Sequence, residues 1–210
     1  MCNRKKYLLL IIIGIIILLY PIIARFINQK GQNEIIANYS EQIEEMDEED
    51  TSKQKEEYEK YNNEIIKNTN SNINLLQNGK NLGYIRIEKI NLSMPIYEGT
   101  EDKILLKGVG HLEYTGIPTK KQDYHCVLVG HSGLTSKKIF DNLTKLKDGD
   151  EFNIIILDNV FKYKICSIKK VLPYETNYLT VQKGKQLVTL VTCIPKFINS
   201  HRLLVTGEII

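Results

Sequence analysis

From Tyr7 to Ala24 the chain carries 18 residues without a charge, and only Gly14 and Pro21 interrupt their apolar character. As a helix, at 1.5 Å per residue, such a run is about 27 Å long, close to the ~30 Å hydrocarbon thickness of a bilayer. No other stretch restricts the possible architectures as strongly, because a segment this long and this apolar either crosses a membrane or is removed. Arg4, Lys5 and Lys6 precede it, so the positive-inside rule leaves the short N-terminus in the cytoplasm and sends the remainder outside, although Arg25 and Lys30 reduce the asymmetry. A cleaved signal peptide ends in small residues of A-x-A type, and Pro21-Ile22-Ile23-Ala24-Arg25 is not such a site. Residues 1–30 therefore read as a cytoplasmic tail and an uncleaved transmembrane anchor. The expected location is the cell membrane, single-pass, with the following domain extracellular.

Charge divides the rest of the chain in two. Residues 31–82 hold five Lys and twelve Asp or Glu, a net of −7, whereas residues 83–210 hold eighteen Lys or Arg and thirteen acids, a net of +5. The basic excess is small and scattered, which argues against nucleic acid as a partner. In the acidic part, Ile35, Ile36, Tyr39, Ile43 and Met46 recur at helical spacing, and Tyr58, Tyr61, Ile65 and Ile66 suggest a second helix with a thin apolar stripe. Seven acids between Glu41 and Asp50 read as a solvated face. Residues 31–82 are thus expected to form an acidic helical stalk that packs partly on the domain behind it, ending in the Asn-rich linker Asn68 to Asn81.

Residues 83–210 read as mainly β. Tyr84 to Ile87, Met94 to Tyr97, His125 to Gly130, Glu151 to Leu157, Val160 to Val171, Leu187 to Thr192 and Leu203 to Gly207 have strand composition. Asp158-Asn159 marks a hairpin turn, and short helices are expected at Glu101 to Leu106, capped by Thr100, and near Lys138 to Leu143. Many short strands with few helices predict a closed or nearly closed barrel.

The chemistry concentrates in Leu187 to Arg202, LVTLVTCIPKFINSHR. The apolar run delivers Cys193 to a strand end just before Pro195, and Arg202 opens the next strand. If the two strands pair, Arg202 lies beside Cys193, and a fixed cation beside a thiol favours the nucleophilic thiolate. Taken alone, a lone cysteine is more often a buried structural residue.

Thr189-Leu190-Val191-Thr192-Cys193 with the trailing Arg202 resembles the TLxTC signature of sortases, the surface transpeptidases of Gram-positive bacteria. Val127-Leu128-Val129-Gly130-His131 supplies the histidine that family places at a strand end. GYIRIEKINLSMPIYEGT, KGVGHLEYTGIP, IFDNLTKLKDGDEF and SHRLLVTGEI extend the similarity from Gly83 onward, and are most like the pilin-building class C branch. The resemblance implies an eight-stranded sortase β-barrel over residues 83–210. It also implies a catalytic set of Cys193 as nucleophile, His131 as acid and base, and Arg202 as oxyanion or substrate clamp, with Thr192 in substrate binding. The implied substrate is an LPxTG-like sorting signal of a surface or pilin protein, and the acceptor an amine on a pilin lysine or a cell-wall peptide. No cofactor or metal is implied, and the spacing of His125 and His201 with the cysteines matches no zinc pattern.

His111 resembles a structural position of the family rather than its acid. Cys126 and Cys166 read as small strand residues rather than a disulfide. Two features of class C are missing. No Asp-Pro-aromatic lid motif lies between Gly31 and Leu82, which contains no proline, and the chain stops at Ile210 on a strand instead of continuing into a C-terminal membrane helix. The site is therefore expected to be open at rest, the alternative plugs being Tyr58, Tyr61 and Leu75-Leu76. Two other readings stay open: an extracellular cysteine peptidase that releases its acyl group to water, and a membrane-tethered binding domain without enzymatic activity.

Overall fold

A computed structural model describes residues 2–67, 76–120, 123–133 and 139–210. The apolar N-terminal run is the first half of one continuous helix, α1 (Cys2–Glu45), which passes through Pro21. Its apolar half has a mean hydropathy of 2.9 over the most apolar 18 residues, long and apolar enough to cross a membrane. A second helix, α2 (Glu48–Lys67), begins after a sharp corner where the Asp47 carboxylate accepts the Asp50 N–H at 2.7 Å, an N-terminal cap.

Eight strands follow: β1 (Asn81–Ile87), β2 (Leu92–Glu98), β3 (Val109–His111), β4 (Tyr124–Val129), β5 (Glu151–Ile156), β6 (Asn159–Val171), β7 (Gln186–Ile194) and β8 (His201–Ile209). They close into a barrel in the order β1-β2-β3-β4-β7-β8-β6-β5. Two junctions are parallel, β2 with β3 and β4 with β7; the others are antiparallel. Closure removes exposed edges, and period-two alternation fills the inside. In β6, Phe161, Tyr163 and Ile165 point inward while Lys162 and Lys164 are exposed. The interior is mainly apolar, and its polar groups include the Tyr124 and Tyr163 hydroxyls, paired at 2.6 Å, and the buried Glu98–His111 pair.

The registers put the ends of β1, β4, β6 and β7 and the starts of β2, β3, β5 and β8 on one rim of the barrel, which also carries Cys193. The opposite rim holds the β5–β6 turn and the start of β1.

Expected and observed elements differ in three places. β3 is a three-residue strand held between β2 and β4 that its own composition does not announce. Thr100 does not cap the short helix α3 (Asp102–Leu105); the residue before it is Glu101, and the Thr100 hydroxyl instead contacts Glu113 at 3.4 Å. The helix expected near Lys138 to Leu143 falls partly outside the described residues, and what is described is a 3-10 turn at Leu143–Lys145.

Residues 31–67 are fastened to the barrel. Gln32 Nε2 donates to the Lys107 carbonyl at 2.7 Å, and the Tyr39 hydroxyl donates to Leu82 O at 3.0 Å and accepts the Leu157 N–H at 2.8 Å. Burial pushes the Tyr39 pKa up to about 12, so it stays a donor at any ordinary pH. From α2, Asn62 accepts from the Ile117 N–H and donates to the Ile117 carbonyl, both at 2.8 Å, and Tyr61 accepts the Tyr114 N–H at 3.1 Å. The acidic residues from Glu41 to Asp50 are exposed.

Candidate active site

Strand pairing assembles the site. In the antiparallel β7–β8 ladder Cys193 is the register partner of Arg202. Directly opposed residues share a face with Cβ atoms about 4.5–5.5 Å apart, so the two side chains start side by side on one face. The hairpin loop between them fixes the cation further: Arg202 Nη1 donates to the carbonyls of Asn199 at 3.0 Å and His201 at 3.2 Å, the former on a residue with φ of 57°. Its Nη2 and Nε make no hydrogen bond among the described residues, which leaves donors of the planar fork for a ligand.

His131 arrives from the other side. β4 runs parallel to β7, Val129 opposite Val191, and the Gly130 N–H extends the ladder by donating to Val191 O at 3.0 Å. Two residues on from that register His131 stands at the level of Cys193, and its neighbour Ser132 bonds the Cys193 carbonyl directly through Oγ at 2.6 Å. The His131 carbonyl accepts the Phe140 N–H at 3.0 Å. Gly130 is required here for space, because a Cβ would lie 2.6 Å from the Phe140 ring. Cys193, His131 and Arg202 are all half-buried, accessible yet held.

The hydroxyl of Thr192, the residue expected in substrate binding, is engaged within the fold. Adjacent strand residues point to opposite faces, so with Cys193 outward Thr192 turns inward, where it is 2 % exposed and its hydroxyl donates to the Gly130 carbonyl at 2.7 Å. It ties the end of β7 to the strand end that carries His131. Ser132, whose hydroxyl makes the matching tie from the other strand, has no sequence signal beyond lying next to His131.

The remaining candidates lie elsewhere. His111, at the end of β3 away from the Cys193 rim, is buried with Nδ1 2.6 Å from the Glu98 carboxylate, its register partner on β2. Burial opposes its charge, but the neighbouring Cys126 sulfur and the hydrogen-bonding carboxylate outweigh that and raise its pKa to about 10. His125 bonds Thr180 O through Nδ1 at 2.9 Å and the Thr189 hydroxyl through Nε2 at 2.7 Å. His201 contacts the Ser200 hydroxyl. Cys126 is buried and Cys166 exposed, and each is a free thiol. Of the possible plugs, Tyr58, Tyr61 and Leu76 are buried in the hydrophobic core, and Leu75 lies outside the described residues.

A cysteine, a histidine and an arginine brought to one rim of an eight-stranded barrel agree with what comparison finds: a model of the sortase domain matches residues 85–210. The chain belongs to the sortase family. Among solved structures, this sortase is similar to sortase C of Clostridium perfringens, determined with its C-terminal cell wall sorting motif, at 41% identity and a TM-score of 0.79, covering 84% of this chain and 98% of that one. Sortase C1 of Streptococcus agalactiae is similar at 36% identity and 0.76, with the same coverage of both chains. Among curated relatives, sortase D of Bacillus subtilis is 33% identical over 119 residues, a stretch spanning 57% of either protein. The chain therefore spans less than two thirds of that relative's length.

Proposed function

We propose that this sortase is a membrane-anchored cysteine transpeptidase that cleaves an LPxTG-like sorting signal and transfers it to an amine. The supporting observation is the Cys193–Arg202 register pair beside the β4 end that carries His131. The Cys193 thiolate attacks the scissile carbonyl carbon, forming a C–S bond, and Arg202 N–H donors stabilise the oxyanion. The C–N bond then breaks and the departing amine takes a proton from the His131 imidazolium, leaving a thioester. An incoming amine attacks the thioester and gives its proton to His131 as the C–S bond breaks, which restores the thiolate. The acceptor is a pilin lysine or a cell-wall peptide, and the similarity to sortase C structures supports the pilin-type branch.

In this reading residues 1–30 form the cytoplasmic tail and single-pass anchor, 31–82 the helical connection, and 83–210 the extracellular catalytic barrel. The test is mass spectrometry of the full chain in detergent after incubation with an LPxTG-type peptide, with and without an amine donor. A thioester adduct on Cys193 and an amine-linked product are expected, both lost in Cys193→Ala. Hydrolysis indifferent to added amine would make the protein a peptidase, and the absence of any adduct would remove the enzymatic reading.

A further inference from the structure

The direction of α1 relative to the barrel fixes which rim faces the membrane. Gln32, the first buried residue of the helix among the described side chains at 4 % exposure, is bonded to Lys107, two residues before β3 and so on the Cys193-rim side of the Ile96–Val109 register pair. Seven residues later Tyr39 is bonded to Leu82 and Leu157 at the opposite rim. Read towards its N-terminus, α1 therefore leaves the barrel past the Cys193 rim. The exposed apolar part reaches Ile27, and from there to Gln32 the helix rises only about 7.5 Å. The headgroup layer of one leaflet is itself ~5–7 Å thick, from the ~40–45 Å full thickness and ~30 Å core.

The surface found on that rim is the kind a headgroup layer accepts. Among the described residues outside α1, the three most exposed large hydrophobic residues are Phe197 at 79 %, Tyr174 at 76 % and Ile198 at 72 %. All three lie in loops on the Cys193 rim, Phe197 and Ile198 between β7 and β8 and Tyr174 just after β6 ends. Exposed apolar clusters mark interaction surfaces, and aromatic rings favour the membrane–water interface. Charge at the rim itself is mixed, but the acidic run Glu41 to Asp50 lies beyond Tyr39, at the end of the barrel away from the apolar helix, where anionic lipid would not repel it.

We propose that the Cys193 rim is a membrane-contacting surface, with Phe197, Ile198 and Tyr174 seated in the headgroup layer of the bilayer that α1 crosses. The proposal rests on the membrane anchor proposed for residues 1–30. It means that the acyl-transfer site opens toward the lipid surface, so that substrates reach it along the membrane rather than from bulk solvent.

The chain contains no tryptophan, so single tryptophans report position cleanly. The full chain is reconstituted into vesicles of equal parts phosphatidylcholine and phosphatidylglycerol as Phe197→Trp, Ile198→Trp, Val160→Trp and Ile15→Trp. Val160, 66 % exposed where β6 begins, samples the far rim, and Ile15 samples the apolar run. Phe197→Trp and Ile198→Trp should show a blue-shifted emission quenched by lipids brominated near the headgroup end of the acyl chain, and Val160→Trp should respond only to an aqueous quencher. If Ile15→Trp is quenched by deeply brominated lipid while both loop tryptophans behave like Val160→Trp, the anchor stands and the rim proposal falls. If Ile15→Trp is itself in water, anchor and rim fall together.

Discussion

At the scale of single residues, two buried side chains have effects that the proposed chemistry alone would not suggest. Thr192 holds the Gly130 carbonyl, so Thr192→Val leaves a buried acceptor without its donor and should cost about 1–3 kcal/mol of stability. The strand end under His131 loosens as well, so kcat should fall while KM for the peptide holds, and Thr192→Ser should restore both. Denaturant unfolding and steady-state kinetics on the same variants check this. The Glu98–His111 pair gives a pH signature. Its histidine pKa is raised in the folded state above the unfolded value of about 6.5, so its contribution is complete below pH ~6.5 and is lost as pH rises toward about 10. The denaturant midpoint should decline over that window. Glu98→Ala should shrink this decline and destabilise the barrel by about 3–5 kcal/mol, since it leaves one member of a buried pair alone. The Cys193–Arg202 pairing was legible in the sequence because a hairpin brings together residues on either side of a short loop. The inward side chain of Thr192 follows from the same strand by parity, since a residue next to an outward cysteine must face inward.

At the scale of elements, local pattern revealed those strands long enough to alternate and hid those defined by their partners. β6 alternates from Asn159 to Cys166, up to a register shift, whereas β3 has three residues and exists only as a bridge between β2 and β4. The parallel β4–β7 pairing, which delivers His131, joins segments about 60 residues apart and leaves no local mark. The thin stripe on α2 understated its attachment, because Asn62, a polar residue, makes two of the anchoring bonds. A chain starting at residue 31 should therefore fold, whereas one starting at residue 81 should lose several kcal/mol with the contacts of Tyr39, Tyr58 and Tyr61; thermal unfolding of the two truncations decides it. The segment between β6 and β7 is tied down by His125, whose Nδ1–H donates to Thr180 O while Nε2 accepts the Thr189 hydroxyl. Burial depresses the pKa of this histidine, and the Thr180 bond only partly opposes that. The sign is opposite to that of His111: the contribution is present above pH ~6.5 and lost as pH falls through the depressed value. Protection against hydrogen exchange in residues 172–185, after correction for the intrinsic base-catalysed rate, should weaken as pH falls below ~6.5, and in His125→Gln that corrected protection should not change with pH there.

At the scale of the whole molecule, α1 is long and apolar enough to cross a membrane, and in the proposed anchoring its flanking charges decide which side of the membrane receives the barrel. Arg4, Lys5 and Lys6 stand before the apolar run, and Arg25 and Lys30 after it. The difference is a single charge, but the leading three are consecutive, whereas the trailing two stand five positions apart. On cells stripped of wall, an external protease should therefore remove the barrel and leave a membrane-embedded stub. Replacing Arg4, Lys5 and Lys6 with Gln leaves Arg25 and Lys30 as the only flanking cations and reverses the bias, so a substantial share of the barrel should then be protected until the membrane is broken. If the barrel of the unaltered chain were fully protected, the orientation would be wrong. If the substitutions left its cleavage unchanged, the three cations would not be what sets it.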